Sequence, residues 1–203
     1  MRSMRRLIDI LVATVALALL SPLLIVVATA VAIDSPGNPF YASWRCGLAG
    51  RSFRMWKFRS MVPNAYRKGP VITARHDPRI TNLGRILRVT KIDELPQFVN
   101  VFLGDMTLVG PRPEAPGIVA LYTAAQRRVL DVKPGLTGRG QLAGEESETI
   151  PQDAEPEHYY VTQLMHKKVH SDLQYLETRT PWSDARVVLD TVGFVFRAWS
   201  RSK

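Results

Sequence analysis

Ile10-Leu11-Val12-Ala13-Thr14-Val15-Ala16-Leu17-Ala18-Leu19-Leu20-Ser21-Pro22-Leu23-Leu24-Ile25-Val26-Val27-Ala28-Thr29-Ala30-Val31-Ala32-Ile33 carries no charge, and only Thr14, Ser21, Pro22 and Thr29 interrupt its apolar run. As one straight helix it would span about 36 Å, enough for a hydrocarbon core of roughly 30 Å. Three readings compete. A cleaved leader fits the basic start (Arg2, Arg5, Arg6) and the Ala30-Val31-Ala32 triplet, but the run exceeds the roughly 7–15 residues of such segments. A spanning helix fits the length. However, Arg45, Arg51, Arg54, Lys57 and Arg59 follow the run as closely as the first arginines precede it, and one span cannot hold both basic flanks on the cytoplasmic side. The third reading is a re-entrant hairpin bent at Ser21-Pro22. Pro22 removes a backbone donor and crowds the preceding turn. Each arm would be roughly 17 Å long, about one leaflet deep, and the Ser21 hydroxyl is placed to satisfy a carbonyl freed by the bend. The charged flanks favour this reading.

Outward from that segment, charge is unevenly placed. The chain has 203 residues and a net charge of +9; residues 1–91 hold +12 of it and residues 92–203 are at −3. A basic first half favours anionic partners such as lipid headgroups, phosphorylated substrates or nucleic acid. Cys46 is the single cysteine, which excludes an intramolecular disulfide and a thiolate zinc site and fits a reducing cytosolic face.

After the turn cluster Asp34-Ser35-Pro36-Gly37-Asn38-Pro39, residues 53–61 alternate apolar and basic positions and read as a half-buried strand. Residues 63–80 read as a loop. A short helix is expected over Asn82–Val89, and a second from Glu94 or Leu95 to Leu103, stopped by Gly104. Residues 107–109 read as a strand, 115–130 as a helix, 134–144 as a glycine-rich loop and 156–169 as a helix. Residues 182–199 form an amphipathic helix, either packed on the core or lying at a membrane interface through Trp199, Arg197, Arg201 and Lys203. The fold class is α+β, mostly helical. A re-entrant membrane helix with a basic N-terminus occupies 1–34, and a compact cytosolic-face catalytic domain with short strands and amphipathic interfacial helices occupies 35–203.

Thr90-Lys91-Ile92-Asp93-Glu94-Leu95-Pro96-Gln97 carries the chemistry. Adjacent carboxylates at a helix start either cap the helix or converge on one site. Arg85, Arg88 and Lys91 precede them, and Arg112 follows. A carboxylate among guanidiniums stays ionised at neutral pH and suits a nucleophile or metal ligand. Arg suits bidentate phosphate contact, and a helix start welcomes phosphate oxygens. Mg²⁺ is commonly held by one or two carboxylates plus substrate phosphates. No Walker-type loop, GxGxxG or HExxH occurs, and Gly135-Leu136-Thr137-Gly138-Arg139-Gly140 is a weak motif alone. His166 and His170 share a helical face but lack an acidic companion, which favours a surface role.

Taken together, Ile8-Asp9-Ile10, Ser21-Pro22, Lys57-Phe58-Arg59-Ser60-Met61, Leu87-Arg88 and Lys91 to Gln97 form an ordered series. Asn100-Val101, Gly104-Asp105-Met106, Val109 to Pro113, and Lys133 to Gly138 with Gln141 continue it. In that order and spacing the chain resembles the bacterial sugar transferases that are small monotopic polyprenol-phosphate phosphoglycosyl transferases, over nearly its whole length. The resemblance implies a ping-pong transfer of a sugar 1-phosphate from a UDP-sugar to undecaprenyl phosphate, with release of UMP. Asp93 would be the nucleophile and hold Mg²⁺, and Glu94 would assist. Arg88 and Arg112 would contact phosphate or nucleotide, with Lys57, Arg59 and Arg139 as further candidates. It also implies a cytoplasmic-face, inner-membrane location and service to exopolysaccharide, lipopolysaccharide or capsule assembly beside downstream glycosyltransferases, without nucleic acid. The chain departs from the common pattern after Gln141, where Leu142-Ala143-Gly144-Glu145-Glu146 replaces a Gly-Arg pair, and at Cys46. The alternatives are a membrane-anchored nucleotide-sugar phosphodiesterase and a non-catalytic membrane protein binding anionic ligands.

Overall fold

The computed structural model describes residues 2–67, 69–70, 72–74, 77–142, 150–151 and 153–201. The Gly144-Glu145-Glu146 departure, His76 and Lys203 lie outside the described residues, as do the side chains of Trp199 and Arg201.

The apolar run forms α1 (Arg2–Asp34), continuous through Pro22. Two arms separated by a loop are therefore not seen. Proline at position 22 deprives the Ala18 carbonyl of its usual i+4 donor, and the Ser21 hydroxyl donates to that oxygen at 2.8 Å. The hydroxyl contact expected from the sequence is present, within a helix that runs on without a break. Both ends of α1 belong to the body of the protein. Arg6 donates to the Val101 and Phe102 carbonyls at 2.6 and 2.7 Å, and Ala13 packs with Phe53, Met55, Val101 and Met106. Near the other end, Val27 and Val31 pack with Phe58 and Leu87. Between them no residue of 14–26 is buried.

β1 (Phe40–Cys46) and β2 (Ser52–Phe58) pair antiparallel from Phe40↔Phe58 to Cys46↔Ser52. The sequence reading found β2 alone; β1 lacks a strict alternation, and its burial comes late, at Cys46. The β2 alternation holds at Phe53 and Met55, which are buried on one face, while Arg54 is exposed.

α2 (Asn82–Val89) has the expected bounds, with Thr81 capping it through the Gly84 amide. α3 (Gln97–Leu103) starts later than expected, after a separate 3₁₀ turn at Ile92–Glu94, and ends at Gly104 with φ +94°, a conformation that glycine adopts cheaply. Asn100 is fully buried. Its Oδ1 accepts from the Trp56 amide (3.0 Å) and its Nδ2 donates to the Arg54 carbonyl (2.7 Å), so α3 completes the open edge of β2.

β3 (Thr107–Val109) pairs in parallel with β4 (Gly135–Thr137). The expected glycine-rich loop is thus a strand followed by a short helix, α5 (Arg139–Leu142). Any side chain at Gly135 would place its Cβ 2.1 Å from the Gly110 amide, so these glycines serve close strand approach. The helix expected over 115–130 is broken: α4 (Pro116–Ala120) is separate from a 3₁₀ stretch at Gln126–Asp131. α6 (Pro156–Tyr159) continues through a π-helical turn, Tyr160–Leu164, into α7 (Met165–Thr178). α8 (Pro181–Arg201) closes the described chain. A third cluster, around Ile118, Tyr122, Val129, Tyr160 and Met165, joins α4 to α6 and α7.

Candidate active site

α2 is seated by Gly84, whose position would put a Cβ 2.0 Å from the Ser60 carbonyl. That contact sets the end of the helix, and Arg88 there donates through Nε to the Ser60 hydroxyl at 2.9 Å. Lys91 then takes a left-handed conformation (φ 59°) and turns the chain into Ile92–Glu94. Neither carboxylate caps α3, whose N-cap is Pro96 with no side-chain capping bond. The capping reading of the dyad is therefore displaced.

The two carboxylates have opposite surroundings. Glu94 Oε1 takes the Lys57 ammonium at 2.7 Å and lies 3.7 Å from an Arg112 nitrogen. Burial works to raise its pKa, but Lys57 and Arg112, with Lys91, outweigh burial and hold the carboxyl well below its ordinary value. Asp93 is 5% exposed, and its Oδ1 is buried with no hydrogen-bond partner among the described residues. Burial, with Glu94 adding to it, outweighs Lys57, Lys91 and Arg88 and pushes the Asp93 carboxyl up to about 6. Cations surround the dyad as expected: Lys57 and Arg112 pair directly with Glu94, while Lys57, Lys91 and Arg88 act on Asp93 through charge without an ion pair among the described residues. Burial also pushes the Lys57 ammonium below its ordinary value, against the pull of Glu94 and Asp93.

Both carboxylates line a cavity of about 1590 Å³ together with Lys57, Arg59, Arg88 and Arg112. The structure thus brings the expected catalytic and phosphate-site residues together except Arg139, which pairs with Asp190 at 3.4 Å and is absent from the cavity wall. Arg59 donates to the Ser35 carbonyl at the end of α1, and its Nε has no partner among the described residues. Ser21 and Pro22 sit in the exposed middle of α1. His166 contacts Gln126 at 2.6 Å, in keeping with a surface role.

Arg112 is held from behind by residues the sequence reading missed. Asp172 on α7 accepts the Gly140 amide at 2.8 Å and the Arg112 amide, so one carboxylate ties α5 to the segment that follows β3. Burial pushes Asp172 up to about 6, against those two amides and Lys168. The adjacent Glu114 accepts from the Tyr160 hydroxyl. A signal for Asp172 existed: it follows Met165 and Val169 at helical spacing, and an acid on an apolar face calls for a partner. Asp9 behaves similarly. Buried on α1, it accepts from the Thr107 hydroxyl (2.8 Å) and the Leu108 amide (3.0 Å), fastening α1 to β3.

Oδ1 of Asp93 is the kind of donor a divalent cation uses, with Glu94 next to it. No group of three or more His, Cys, Asp or Glu side chains suited to a metal occurs among the described residues, so such an ion would need oxygens from a substrate. What the arrangement can do is present one underbonded carboxylate oxygen, inside a cationic cavity, to an anionic electrophile.

The bacterial sugar transferase family model matches residues 1–198. The chain is 37% identical, over 97% of its length, to a UDP-glucose:undecaprenyl-phosphate glucose-1-phosphate transferase of Escherichia coli (strain K12), spanning 41% of that protein. It is also 37% identical, over 93% of its length, to a protein of the same name from Caulobacter vibrioides (strain ATCC 19089 / CIP 103742 / CB 15), spanning 68% of it. A UDP-N-acetylgalactosamine-undecaprenyl-phosphate N-acetylgalactosaminephosphotransferase of Aeromonas hydrophila is 34% identical over 93% of the chain, which spans 42% of that protein.

Proposed function

The chain belongs to the bacterial sugar transferase family, and from that premise we propose that it transfers a sugar 1-phosphate from a UDP-sugar to undecaprenyl phosphate, releasing UMP. The partnerless, buried Oδ1 of Asp93 on the wall of a cationic cavity carries this reading. In the first half-reaction that oxygen bonds to the β-phosphorus, the bond from phosphorus to the bridging oxygen breaks, and UMP leaves with the electron pair. In the second, a phosphate oxygen of the lipid attacks the same phosphorus and the Asp93 carboxylate is released. One difficult transfer becomes two easier ones.

The Lys57–Glu94–Arg112 group keeps fixed positive charge beside the diphosphate. Arg88, oriented by Ser60, and Arg59 add donors for phosphate oxygens. The Asp93 carboxylate, with Glu94 next to it, would hold a Mg²⁺ ion, and the bound ion would offset phosphate charge as the anions meet. Glu94 stays ionised beside it and assists as a neighbour of the metal or by taking up the acceptor's proton.

The membrane placement we infer is a re-entrant α1 dipping into the cytoplasmic leaflet of the inner membrane and bending at Ser21-Pro22, with residues 35–203 at its cytoplasmic face. It is supported by the packing of both ends of α1 on one body, while no residue of 14–26 is fully buried by protein. α8 lies at the interface with Trp182 and Phe196 exposed, and Val187 on its other side is buried. The product feeds exopolysaccharide, lipopolysaccharide or capsule assembly through downstream glycosyltransferases.

UMP release by protein in lipid with Mg²⁺, over a panel of UDP-sugars with and without undecaprenyl phosphate, tests this reading. Sustained release that requires both the lipid and Asp93 is expected, with no more than a single turnover of UMP when the lipid is left out. Sustained multiple-turnover release without lipid would assign the phosphodiesterase reading instead.

A further inference from the structure

We propose that the gap between the first turns of α1 and helix α8 seats the prenyl chain of the acceptor lipid; this rests on the transferase reading. Arg5 and Asp184 lie 3.7 Å apart and join the two helices at the first turn of α8. Asp9 holds the next turn of α1 against β3. Beyond these fastenings, Ile8 and Val12 of α1 and Val188 and Val192 of α8 line the same cavity as Asp93. All four are 40–51% exposed, so an apolar wall stands uncovered on each helix.

The bare wall of α8 follows from how the helix is held. Val187 is 2% exposed, and the Thr191 hydroxyl meets that of Thr137 at 2.6 Å. These residues fix one face of α8 on the body, and Val188 and Val192 each follow a fixed residue by one position. That places them about 100° round the helix, toward the gap rather than the core.

The cavity is amphiphilic, and that selects its occupant. The Lys57–Glu94–Arg112 group, with Arg88, lies on the same continuous wall as the four aliphatic side chains. A nucleotide sugar uses the first and has nothing for the second. A ligand that satisfies both has an anionic phosphate head and a hydrocarbon chain. A prenyl chain in this gap leaves the bilayer between two helices and ends with its phosphate beside Asp93, as the second half-reaction requires. Apolar contact along the chain would then contribute to acceptor binding.

The test uses the full chain in phosphatidylethanolamine vesicles. A prenyl phosphate bearing a chain-borne diazirine is photolysed and the labelled residues are mapped. In parallel, geranyl, farnesyl and geranylgeranyl phosphates are compared as acceptors. Labels on the first turns of α1 and on α8 are expected, as is an apparent affinity that rises with chain length. Val192→Trp should reduce that chain-length gain roughly tenfold; Val188→Phe is the smaller change should the first variant fold poorly. Leu19→Trp, in the bare middle of α1, should leave the gain within about twofold. Labels confined to residues 14–26, a gain that survives both α8 variants, or equal displacement by phosphatidylglycerol would each overturn the proposal. Labelling does not depend on turnover. A labelled gap without UMP release would therefore sink the transferase reading alone, and UMP release with labels elsewhere would sink the gap alone.

Discussion

Asp93 and Asp172 are both buried aspartates, and burial pushes both carboxyls up to about 6. They differ in what their oxygens meet. Asp172 takes two backbone amides, from Arg112 and from Gly140 on α5; Asp93 keeps one oxygen with no partner among the described residues, on a cavity wall. A raised pKa reports burial, which a structural clamp and a proposed nucleophile share. The unfilled oxygen separates them, because a buried acceptor without a donor is costly unless a ligand supplies one.

The largest expected effect breaks the comparison at Asp93. Asp93→Asn should lower UMP release at least about 1000-fold while the melting temperature holds or rises, since an unpartnered buried charge is removed. Retained turnover would remove Asp93 from the chemistry. Glu94→Gln comes next, with a loss of roughly 100-fold and a lower melting temperature, because it leaves the Lys57 ammonium buried without its anion. Lys57→Met added to Glu94→Gln should recover stability but not turnover, and separate melting and kinetic measurements would show it.

Asp172→Ala sharpens the comparison from the other side. A clamp acting through Arg112 should cost about tenfold in kcat/KM, and much less in an Arg112→Ala background. Equal losses in both backgrounds would reduce Asp172 to a purely structural role.

The smallest effect is on stability against pH. The folded carboxyl of Asp172 titrates near 6, above its ordinary 3.8, so between those values the folded state binds more protons than the unfolded. This group's contribution therefore grows as pH falls from above 6 toward 4, and is lost as pH rises through 6, by at most about 3 kcal/mol. Melting curves of Asp172→Asn should show a flatter dependence over that window than the unaltered protein.

Much of the architecture was legible locally. Thr81, Gly104 and the apolar faces between them delimit α2 and the end of α3, because caps and periodicity act over a few residues. β1 and β4 were not legible: one lacks alternation, and the other is written in glycines that make sense only against Gly110. The break between α4 and Gln126–Asp131 was equally hidden. Of the site, Asp93, Glu94, Arg88, Arg112, Lys57 and Arg59 are legible from sequence, and all line one cavity. Arg139 was named with them and pairs with Asp190 instead.

By itself the sequence determined a charge-free apolar run over 10–33 with Ser21-Pro22 at its middle, a carboxylate pair among cations, and membership in a family through motifs in fixed order. Those properties are written in neighbouring residues and their spacing. Only the tertiary structure decided which carboxylate the cations neutralise, which oxygen is left without a partner, and that both ends of α1 fasten to one body. Each depends on residues far apart in the chain, Lys57 with Glu94, Asp172 with Gly140, Asp9 with Thr107. Burial and ion pairing arise from packing between such distant segments, and no local period encodes which of two adjacent side chains will meet a partner.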